Sequence, residues 1–310
     1  FLLVHLTTHS VHNTISVTNI GRSVRLNLPA SREVVERITG SGGQSIMHHQ
    51  SVVSFGAGCV GRGLLGQLLA EAGYAITFVE IDEPLIAALN ARRGYALRLV
   101  ENDRREDLTV PVERTLHSLK ESDDVARAIL AASLVTTSVG ARSLPDIAPL
   151  IAAGIARRAE HAVAAPLNVM ICENMQAASA TFQAMVAGHI PTARLAYLET
   201  HCGFVDVVVG RTIPRPTAEM RAHDYALIVA DTYRELPANR PRFAGPIPDL
   251  AGLKPVDNFQ AYIDRKLYLH NCGHAIMGYL GYLRGHTFTY EALEDADIHS
   301  VVERAFAEAK

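Results

Sequence analysis

Apolar runs and apolar stripes alternate along the chain from Ser51 onward. Val52 to Phe55 is an apolar run of strand length, a glycine-rich loop follows it, and four leucines between residues 64 and 69 then recur at helical spacing. A second apolar run, Ala75 to Val79, ends at Glu80. This order of strand, tight loop, helix and strand predicts the start of a parallel sheet with helices packed against it.

The alternation continues toward the middle of the chain. Leu134 to Val139 is an apolar run that ends at Gly140, and Leu167 to Cys172 is another that ends at Glu173 and Asn174. Polar residues at the ends of strands lie where parallel sheets bind ligands. These strand ends are therefore candidate parts of a binding site.

The loop after the first strand reads Gly56-Ala57-Gly58-Cys59-Val60-Gly61. In a Gly-x-Gly-x-x-Gly segment the first glycine permits a tight turn, the second lets the backbone approach a pyrophosphate, and the third lets the helix pack on the strand. Glu80, or alternatively Asp82, is placed to bind ribose hydroxyls and to repel a 2′-phosphate, which favours NAD over NADP. A purely structural glycine turn is the alternative, but the order of the elements favours a dinucleotide site.

The pattern predicts an α/β protein with three segments. Residues 1–46 form an extension of unknown role, in which Ser31 starts a short helix and the glycines of 40–43 act as a linker. Residues 47–194 are predicted to form a Rossmann-type domain with a parallel sheet. Residues 195–310 are predicted to form a second, mostly helical domain, which contains strands near 205–209 and 225–230.

Composition narrows the possible partners. The 310 residues carry 29 Lys and Arg against 32 Asp and Glu, so no broad basic field exists to bind nucleic acid. The four cysteines stand far apart without zinc-ligand spacing, which favours a reducing, cytoplasmic compartment and no structural metal. The apolar opening of the chain is too short for an export signal, and we expect no membrane span. The sequence leaves the oligomeric state open.

Three polar residues that can support alcohol oxidation lie in one apolar-rich segment, residues 262–283. On a helix with about 100° per residue, Lys266, Asn271 and His274 fall within roughly 140° of one another. A buried lysine has a lowered pKa and can accept a hydroxyl proton, while amide and imidazole groups can hold the developing alkoxide. On spacing alone, such residues are more often a solvated helix edge with a packed histidine, and His270 falls on the same arc.

Four segments carry a resemblance to a known family. They are Phe55 to Gly63, Leu134 to Gly140, Leu167 to Met175 and Arg265 to Ala275. Together and in this order they resemble the mannitol-1-phosphate 5-dehydrogenase family, which belongs to the long-chain, metal-independent polyol dehydrogenases. The resemblance extends from about residue 51 to residue 308.

The resemblance implies an enzyme that interconverts mannitol 1-phosphate and fructose 6-phosphate with NAD. It implies that Lys266 is the general base and that Asn271 and His274 are its polar partners. It also implies that Asn174 lines the site near the nicotinamide or the substrate, although an asparagine there could instead be a strand-end cap. The expected partner is a small sugar alcohol phosphate.

Two departures from the family pattern bear on the site. The family usually has an aspartate immediately before Arg211, whereas this chain has Gly210, and Asp206 is the nearest carboxylate that could compensate. Family members also continue past the point that corresponds to Lys310, so the second domain is expected to be incomplete in these residues. The apolar stripe of the helix predicted over 297–309 would then face missing neighbours.

Two other functions remain compatible with the sequence. The segment 227–248 has little in common with phosphate-specific enzymes, so the substrate could be an unphosphorylated polyol or a sugar acid. Arg211, Arg265 and Arg284 are candidate phosphate ligands, but each is equally a surface cation. Because of Gly210 and the expected truncation, the chain could also bind NAD without catalysis.

Overall fold

The computed structural model describes residues 3–5, 15–19, 22–26 and 50–309. The chain divides into two compact units, Phe1–His48 and His49–Lys310. In the first unit, β1 (Leu3–His5), β2 (Ile15–Asn19) and β3 (Arg22–Leu26) form an antiparallel sheet in the order β1-β2-β3. The helix predicted from Ser31 and the linker predicted at 40–43 lie outside the described residues.

The second unit is built on a six-stranded parallel sheet in the order β11-β10-β9-β4-β5-β8. Its strands are β4 (Ser51–Phe55), β5 (Ala75–Glu80), β8 (Arg114–His117), β9 (Leu134–Thr137), β10 (Leu167–Ile171) and β11 (Cys202–Asp206). The four strands predicted before residue 194 from the apolar runs are confirmed within two residues at each end.

The direction of winding changes between β4 and β9, which lie side by side in the middle of the sheet. The chain passes from β4 outward to β5 and β8, and then returns to β9 and continues to β10 and β11 on the other side. In an open parallel sheet, the crevice at such a switch point, outside the carboxyl ends of the strands, is where ligands bind. The glycine loop leaves the carboxyl end of β4 at this crevice.

Helices cover both faces of the sheet. They are α1 (Gly66–Glu71), which continues a π-helical turn (Gly61–Leu65), α2 (Glu83–Arg92), α3 (Ser122–Ala131), α4 (Leu144–Glu160), α5 (Ala178–Ala187) and α6 (Leu195–His201). A further short helix, α7 (Ala218–His223), has no buried residue. Because side chains alternate along a strand, Val52 joins the core on one face, with Leu64 and Leu68, and Val53 joins the core on the other, with Ile151.

Two small sheets accompany the main one. The hairpin of β6 (Gly94–Glu101) and β7 (Arg104–Pro111) is antiparallel, and β12 (Ile228–Ala230) adds to it in parallel. The second small sheet pairs β13 (Leu236–Asn239) with β14 (Leu253–Val256) in parallel. The main sheet continues past residue 194, since β11 pairs with β10 as its edge strand, so the domain boundary predicted there precedes the end of the sheet.

From Phe259 onward the chain is helical, as expected from its pattern. The segment consists of α8 (Phe259–Asp264), a π-helix (Arg265–Asn271), α9 (Cys272–Arg284), α10 (Thr289–Glu294) and α11 (Ala296–Glu308). Its own core is small and consists of Ala292, Ile298 and Val302. Tyr279, Tyr282 and Leu283 on α9 are exposed.

Candidate active site

The glycine loop turns tightly at the carboxyl end of β4. Gly56 has a φ of 90°, in the left-handed region, and a Cβ there would lie 2.5 Å from the carbonyl oxygen of Ser138. At Gly61 a Cβ would lie 2.0 Å from the carbonyl oxygen of Gly56. At Gly58, by contrast, a Cβ would have no atom within 4 Å, so its backbone faces open space. The three positions therefore fit the requirements of a pyrophosphate-binding turn.

The carboxylate of Glu80 lies directly against this loop. Its Oε2 accepts a hydrogen bond of 2.8 Å from the backbone N–H of Ala57, and its Oε1 accepts one of 2.7 Å from the N–H of Ile81. Asp82 instead caps α2 and accepts hydrogen bonds from the Tyr225 hydroxyl. Oε1 also accepts a hydrogen bond of 3.3 Å from the N–H of Asp82, so Oε2 is the oxygen of Glu80 that retains a lone pair for a ribose hydroxyl, since a carboxylate oxygen can accept two hydrogen bonds.

A cavity of about 480 Å³ opens beside the loop and Glu80. Its lining includes Gly56, Gly58 and Glu80, together with the apolar side chains of Ile81 and Leu119. Those two side chains are 64% and 76% exposed. Exposed apolar groups beside a carboxylate suit an adenosine group, whose flat base needs apolar faces and whose ribose needs a hydrogen-bond acceptor.

A buried arginine that the sequence motif does not reveal holds the loop in place. The guanidinium of Arg62 donates a 2.6 Å hydrogen bond from Nε to the carbonyl oxygen of Ala57 and a further one to that of Ala226. The Tyr95 hydroxyl in turn donates to the carbonyl oxygen of Arg62 at 2.6 Å. Burial lowers the pKa of Arg62. This side chain thus ties the loop to the segment that precedes β12.

Lys266 lies in the π-helix between α8 and α9. Its Nζ donates a 2.6 Å hydrogen bond to the carbonyl oxygen of Val209, and desolvation by burial lowers its pKa. In a π-helix the hydrogen bonds join residues five apart, so Lys266 and Asn271 are closer to one face than in an α-helix, which would separate them by roughly 140°. Single π-helical turns occur frequently at functional sites.

Two cavities meet at Lys266. The first cavity, of about 220 Å³, is lined by Lys266, Asn174, Glu173 and Asp206 among others. The second cavity, of about 590 Å³, is lined by Lys266 and His274, and its other polar or charged residues are Thr212, Asp231, Tyr233, Arg265 and His270. Lys266 therefore shares one cavity with Asn174 and the other with His274, while Asn271 is absent from the lining of both.

His274 and His270 lie one helical turn apart and touch. Their ring centroids are 4.5 Å apart with the planes inclined at 60°. Desolvation, His274 and Lys266 together lower the pKa of His270. His270 is therefore a second imidazole in the cavity, as its place on the predicted arc suggested.

Glu173, next to Asn174, joins two strand ends. Its two carboxylate oxygens accept hydrogen bonds of 2.8 Å from the N–H of Val139 and 2.9 Å from that of Gly140, in the loop after β9. Burial raises the pKa of this carboxyl group. Helix α5 begins at Ala178, beyond Asn174, so that asparagine is not the N-cap of the helix.

The two carboxylates near Gly210 occupy different places. Asp206 is buried and accepts hydrogen bonds from the N–H and hydroxyl of Ser179, at 2.7 and 2.5 Å, and it lines the first cavity. Gly210 lines the second cavity, where the carboxylate is that of Asp231. A Cβ at Gly210 would lie 2.7 Å from Cε1 of Tyr233, so the tyrosine ring covers this position.

Only one of the three arginines considered as phosphate ligands lines the second cavity, and it is Arg265. Arg211 is buried, and its guanidinium donates to the carbonyl oxygens of Tyr233, at 2.6 Å, and Gly63, at 2.8 Å. It therefore joins the segment after β11 to the nucleotide-loop helix. Arg284 pairs with acidic residues at the start of α11.

Within residues 50–309 and the three N-terminal strands, no cluster of three or more His, Cys, Asp or Glu side chains is arranged to hold a metal ion. No helix in that same part of the chain has the length and apolar character needed to cross a bilayer.

Several solved structures of dehydrogenases are similar to this chain. Octopine dehydrogenase in complex with NADH and agmatine is 12% identical, with a TM-score of 0.40, over 61% of this chain and 41% of that one. UDP-glucose dehydrogenase from Pyrobaculum islandicum is 13% identical, with a TM-score of 0.47, over 82% of this chain and 58% of that one. The chain thus spans about half the length of these proteins.

Two family models match nearly all of the second unit. The Rossmann domain of mannitol dehydrogenases matches residues 50–252, and the C-terminal domain of mannitol dehydrogenases matches residues 258–310. The first match ends just before β14, and the second begins just before α8. The predicted Rossmann fold class is confirmed, and the resemblance is confirmed at the level of the wider family: the chain belongs to the mannitol dehydrogenase family.

Proposed function

We propose that this chain is the core of an NAD-dependent dehydrogenase that oxidises mannitol 1-phosphate to fructose 6-phosphate. The observation that carries this proposal is the position of Lys266, whose desolvated Nζ stands where the two cavities meet. A lysine with a lowered pKa can act as a proton acceptor near neutral pH, which a solvated lysine cannot do efficiently. Membership of the mannitol dehydrogenase family supports the same chemistry.

NAD would occupy the glycine loop and the adenosine cavity. Gly58 offers open backbone to the pyrophosphate, and Oε2 of Glu80 offers a free acceptor site to a ribose hydroxyl. Its negative charge would oppose a 2′-phosphate, so we expect NAD to be used in preference to NADP. When bound, the coenzyme supplies the acceptor for the hydride that leaves the substrate carbon. Comparison of NAD and NADP in one turnover assay tests this part of the proposal.

The residues of the second domain would handle the proton. Nζ of Lys266 accepts the proton of the substrate hydroxyl, and its hydrogen bond to the carbonyl oxygen of Val209 keeps it at the junction of the cavities. His274 lines the second cavity and can donate to the oxygen on which negative charge develops. Asn271 lies near the face of Lys266 in the π-helix, and Asn174 contributes an amide from the first cavity. These assignments follow the roles that the resemblance implies.

A second candidate substrate is an unphosphorylated polyol. It is favoured by the composition of the second cavity, where Arg265 is the single arginine and Asp231 adds a negative charge. A phosphate group gains most from several cationic or amide donors. A polyol requires only hydrogen-bond partners for its hydroxyl groups.

The deciding experiment follows NADH absorbance with mannitol 1-phosphate and mannitol supplied separately. Turnover of the phosphate ester alone supports the first candidate, and Arg265→Gln should then raise KM for it by about tenfold to hundredfold, as expected for loss of a charge-assisted hydrogen bond. Arg284→Gln, which removes an arginine outside the cavity, is the matched control. Turnover of mannitol alone supports the second candidate. NADH binding without turnover of either compound would indicate a binding protein and overturn both.

A further inference from the structure

The second cavity has a single carboxylate among its lining residues, that of Asp231. This residue follows β12 directly, and backbone groups fix its side chain. Oδ2 accepts a 2.7 Å hydrogen bond from the N–H of Thr212, and Oδ1 accepts one of 2.8 Å from the N–H of Tyr233. The N–H of Asp231 in turn donates to the carbonyl oxygen of Thr212 at 3.1 Å. The carboxylate is therefore held in one orientation before any ligand arrives.

This carboxylate retains hydrogen-bonding capacity. Each of its oxygens can accept two hydrogen bonds, and one backbone N–H occupies one acceptor site on each. Within the part of the chain that the structure describes, Asp231 takes part in no salt bridge. Two neighbouring acceptor oxygens with one free site each match two hydroxyl groups on adjacent carbon atoms. Hydrogen bonds to an ionised acceptor are about twice as strong as those between neutral groups.

The residues next to Asp231 explain why no other carboxylate lines the second cavity. Gly210 has no side chain, and the ring of Tyr233 lies over it, 2.7 Å from the position of a Cβ. Asp206, the other carboxylate nearby, is directed to Ser179 and lines the first cavity. The second cavity thus takes its negative charge from the segment after β12 and not from the segment after β11.

We propose that Asp231 binds two adjacent hydroxyl groups of the substrate and thereby makes the second cavity specific for polyols with a vicinal diol. The inference rests on the proposed function and deepens it. Asp231 lies in the same cavity as Lys266 and His274, so a diol bound to it shares the space of the proposed proton acceptor. Asp231 is a specificity-determining residue in this scheme, and Lys266 alone exchanges the proton.

The test measures kcat/KM for the compound that turns over, mannitol or mannitol 1-phosphate, and for its monodeoxy analogues that keep the oxidised hydroxyl. In the unmodified protein, removal of either of two adjacent hydroxyls should lower kcat/KM by about tenfold to hundredfold, the effect of losing a hydrogen bond to a charged group. Asp231→Asn should lower kcat/KM for the complete polyol by a similar factor. In that variant the same two deoxy analogues should match the complete polyol within about threefold.

Two further variants separate a binding role from a structural one. Asp231→Ser keeps an acceptor oxygen for the N–H of Tyr233, because serine forms the same type of turn, and it should lose the hydroxyl discrimination as Asp231→Asn does. Glu235→Gln is the matched control. Glu235 lies two residues beyond Tyr233, accepts a hydrogen bond from its hydroxyl at 3.3 Å and does not line the cavity. That variant should discriminate as the unmodified protein does.

The outcomes are distinguishable from failure of the proposed function. If the unmodified protein turns over neither polyol, the proposed function and this inference are both overturned. If it turns over a polyol but accepts every deoxy analogue equally well, the inference alone is overturned, whether or not the variants fold. Discrimination that survives in Asp231→Asn or Asp231→Ser also overturns it, because the contact would then belong to another residue.

Discussion

The glycine loop and the π-helix around Lys266 both shape a binding site, but they differ in how much space they leave for a ligand. In the loop, an added methyl group at Gly56 or Gly61 would overlap a backbone carbonyl oxygen, and only Gly58 faces open space. Around Lys266, two cavities of about 220 and 590 Å³ meet, and His274 is exposed. In the loop, the fixed backbone therefore leaves space for a ligand only beside Gly58. The second region selects its ligand through a few polar side chains in a larger space.

The largest expected effect on activity concerns Lys266, in the open region, by which we mean the two cavities that meet at this residue. Lys266→Ala should lower kcat by about 10²- to 10⁴-fold, the usual contribution of a positioned acid or base, because no other group at the junction of the cavities replaces Nζ. NADH affinity, measured by fluorescence titration, should be unchanged, since the glycine loop is untouched. Lys254→Ala, which removes a lysine that lines neither cavity, is the control and should keep its activity. Near-normal turnover in Lys266→Ala would assign the proton transfer to another group.

The pH dependence of the same residue gives the next effect. Oxidation requires neutral Lys266, so kcat/KM for the polyol should rise about tenfold per pH unit up to the pKa of this lysine and then level off. Because desolvation lowers that pKa, levelling should occur below the usual lysine range near 10.4. Reduction of the ketose requires the protonated form, so its rate should fall through the same pKa as pH rises. A rising limb that persists in Lys266→Ala would contradict this assignment.

The two glycines of the loop offer a matched pair of smaller changes. Gly61→Ala places a methyl group on the carbonyl oxygen of Gly56 and should reduce the free energy of unfolding by at least about 1–3 kcal/mol. Gly58→Ala meets no protein atom and should leave the melting temperature nearly unchanged. The methyl group would instead occupy the approach to the pyrophosphate and weaken NADH binding by about fivefold to hundredfold. Equal losses of stability in both variants would show that Gly58 is only structural.

The contrast between the glycine loop and the two cavities also explains which features could be predicted from the sequence. The sequence predicts the loop because its requirements are local: three glycines at fixed spacing, a strand before them, a helix after them and Glu80 at the next strand end. The alternation of apolar runs correctly places β4, β5, β9 and β10. The position of the domain boundary is harder to predict, because the local pattern indicates a strand near 205–209 but not that β11 pairs with β10 in the main sheet.

The open region depends on contacts between distant segments. Asp231 lines the second cavity, and its carboxylate is held there partly by a hydrogen bond from the N–H of Thr212, which its local sequence does not indicate. Arg211, considered as a phosphate ligand, is instead buried against Gly63. The π-helix around Lys266 also changes the angular relation predicted for an α-helix. Candidate catalytic residues such as Lys266 and His274 could be recognised from the sequence, but only the structure shows which of them line the same cavity.

The smallest effect concerns the covered glycine in the open region. Gly210 has no positive φ, so its backbone accepts any residue, and the obstacle to a side chain is the ring of Tyr233 at 2.7 Å. Gly210→Ala should therefore destabilise the unmodified protein by about 1 kcal/mol but not the Tyr233→Ala variant, so urea unfolding of the four proteins should give a coupling energy of about 1 kcal/mol.

The control for this cycle is Gly278→Ala. Gly278 lies within α9, and a Cβ added there would meet no atom within 4 Å. The change should therefore stabilise the protein by about 0.5–1 kcal/mol through helix propensity, with or without Tyr233. Additive effects of Gly210→Ala and Tyr233→Ala would mean that the ring moves aside freely. The wall of the second cavity would then be adjustable, and Asp231 would share its control of the substrate with a mobile tyrosine.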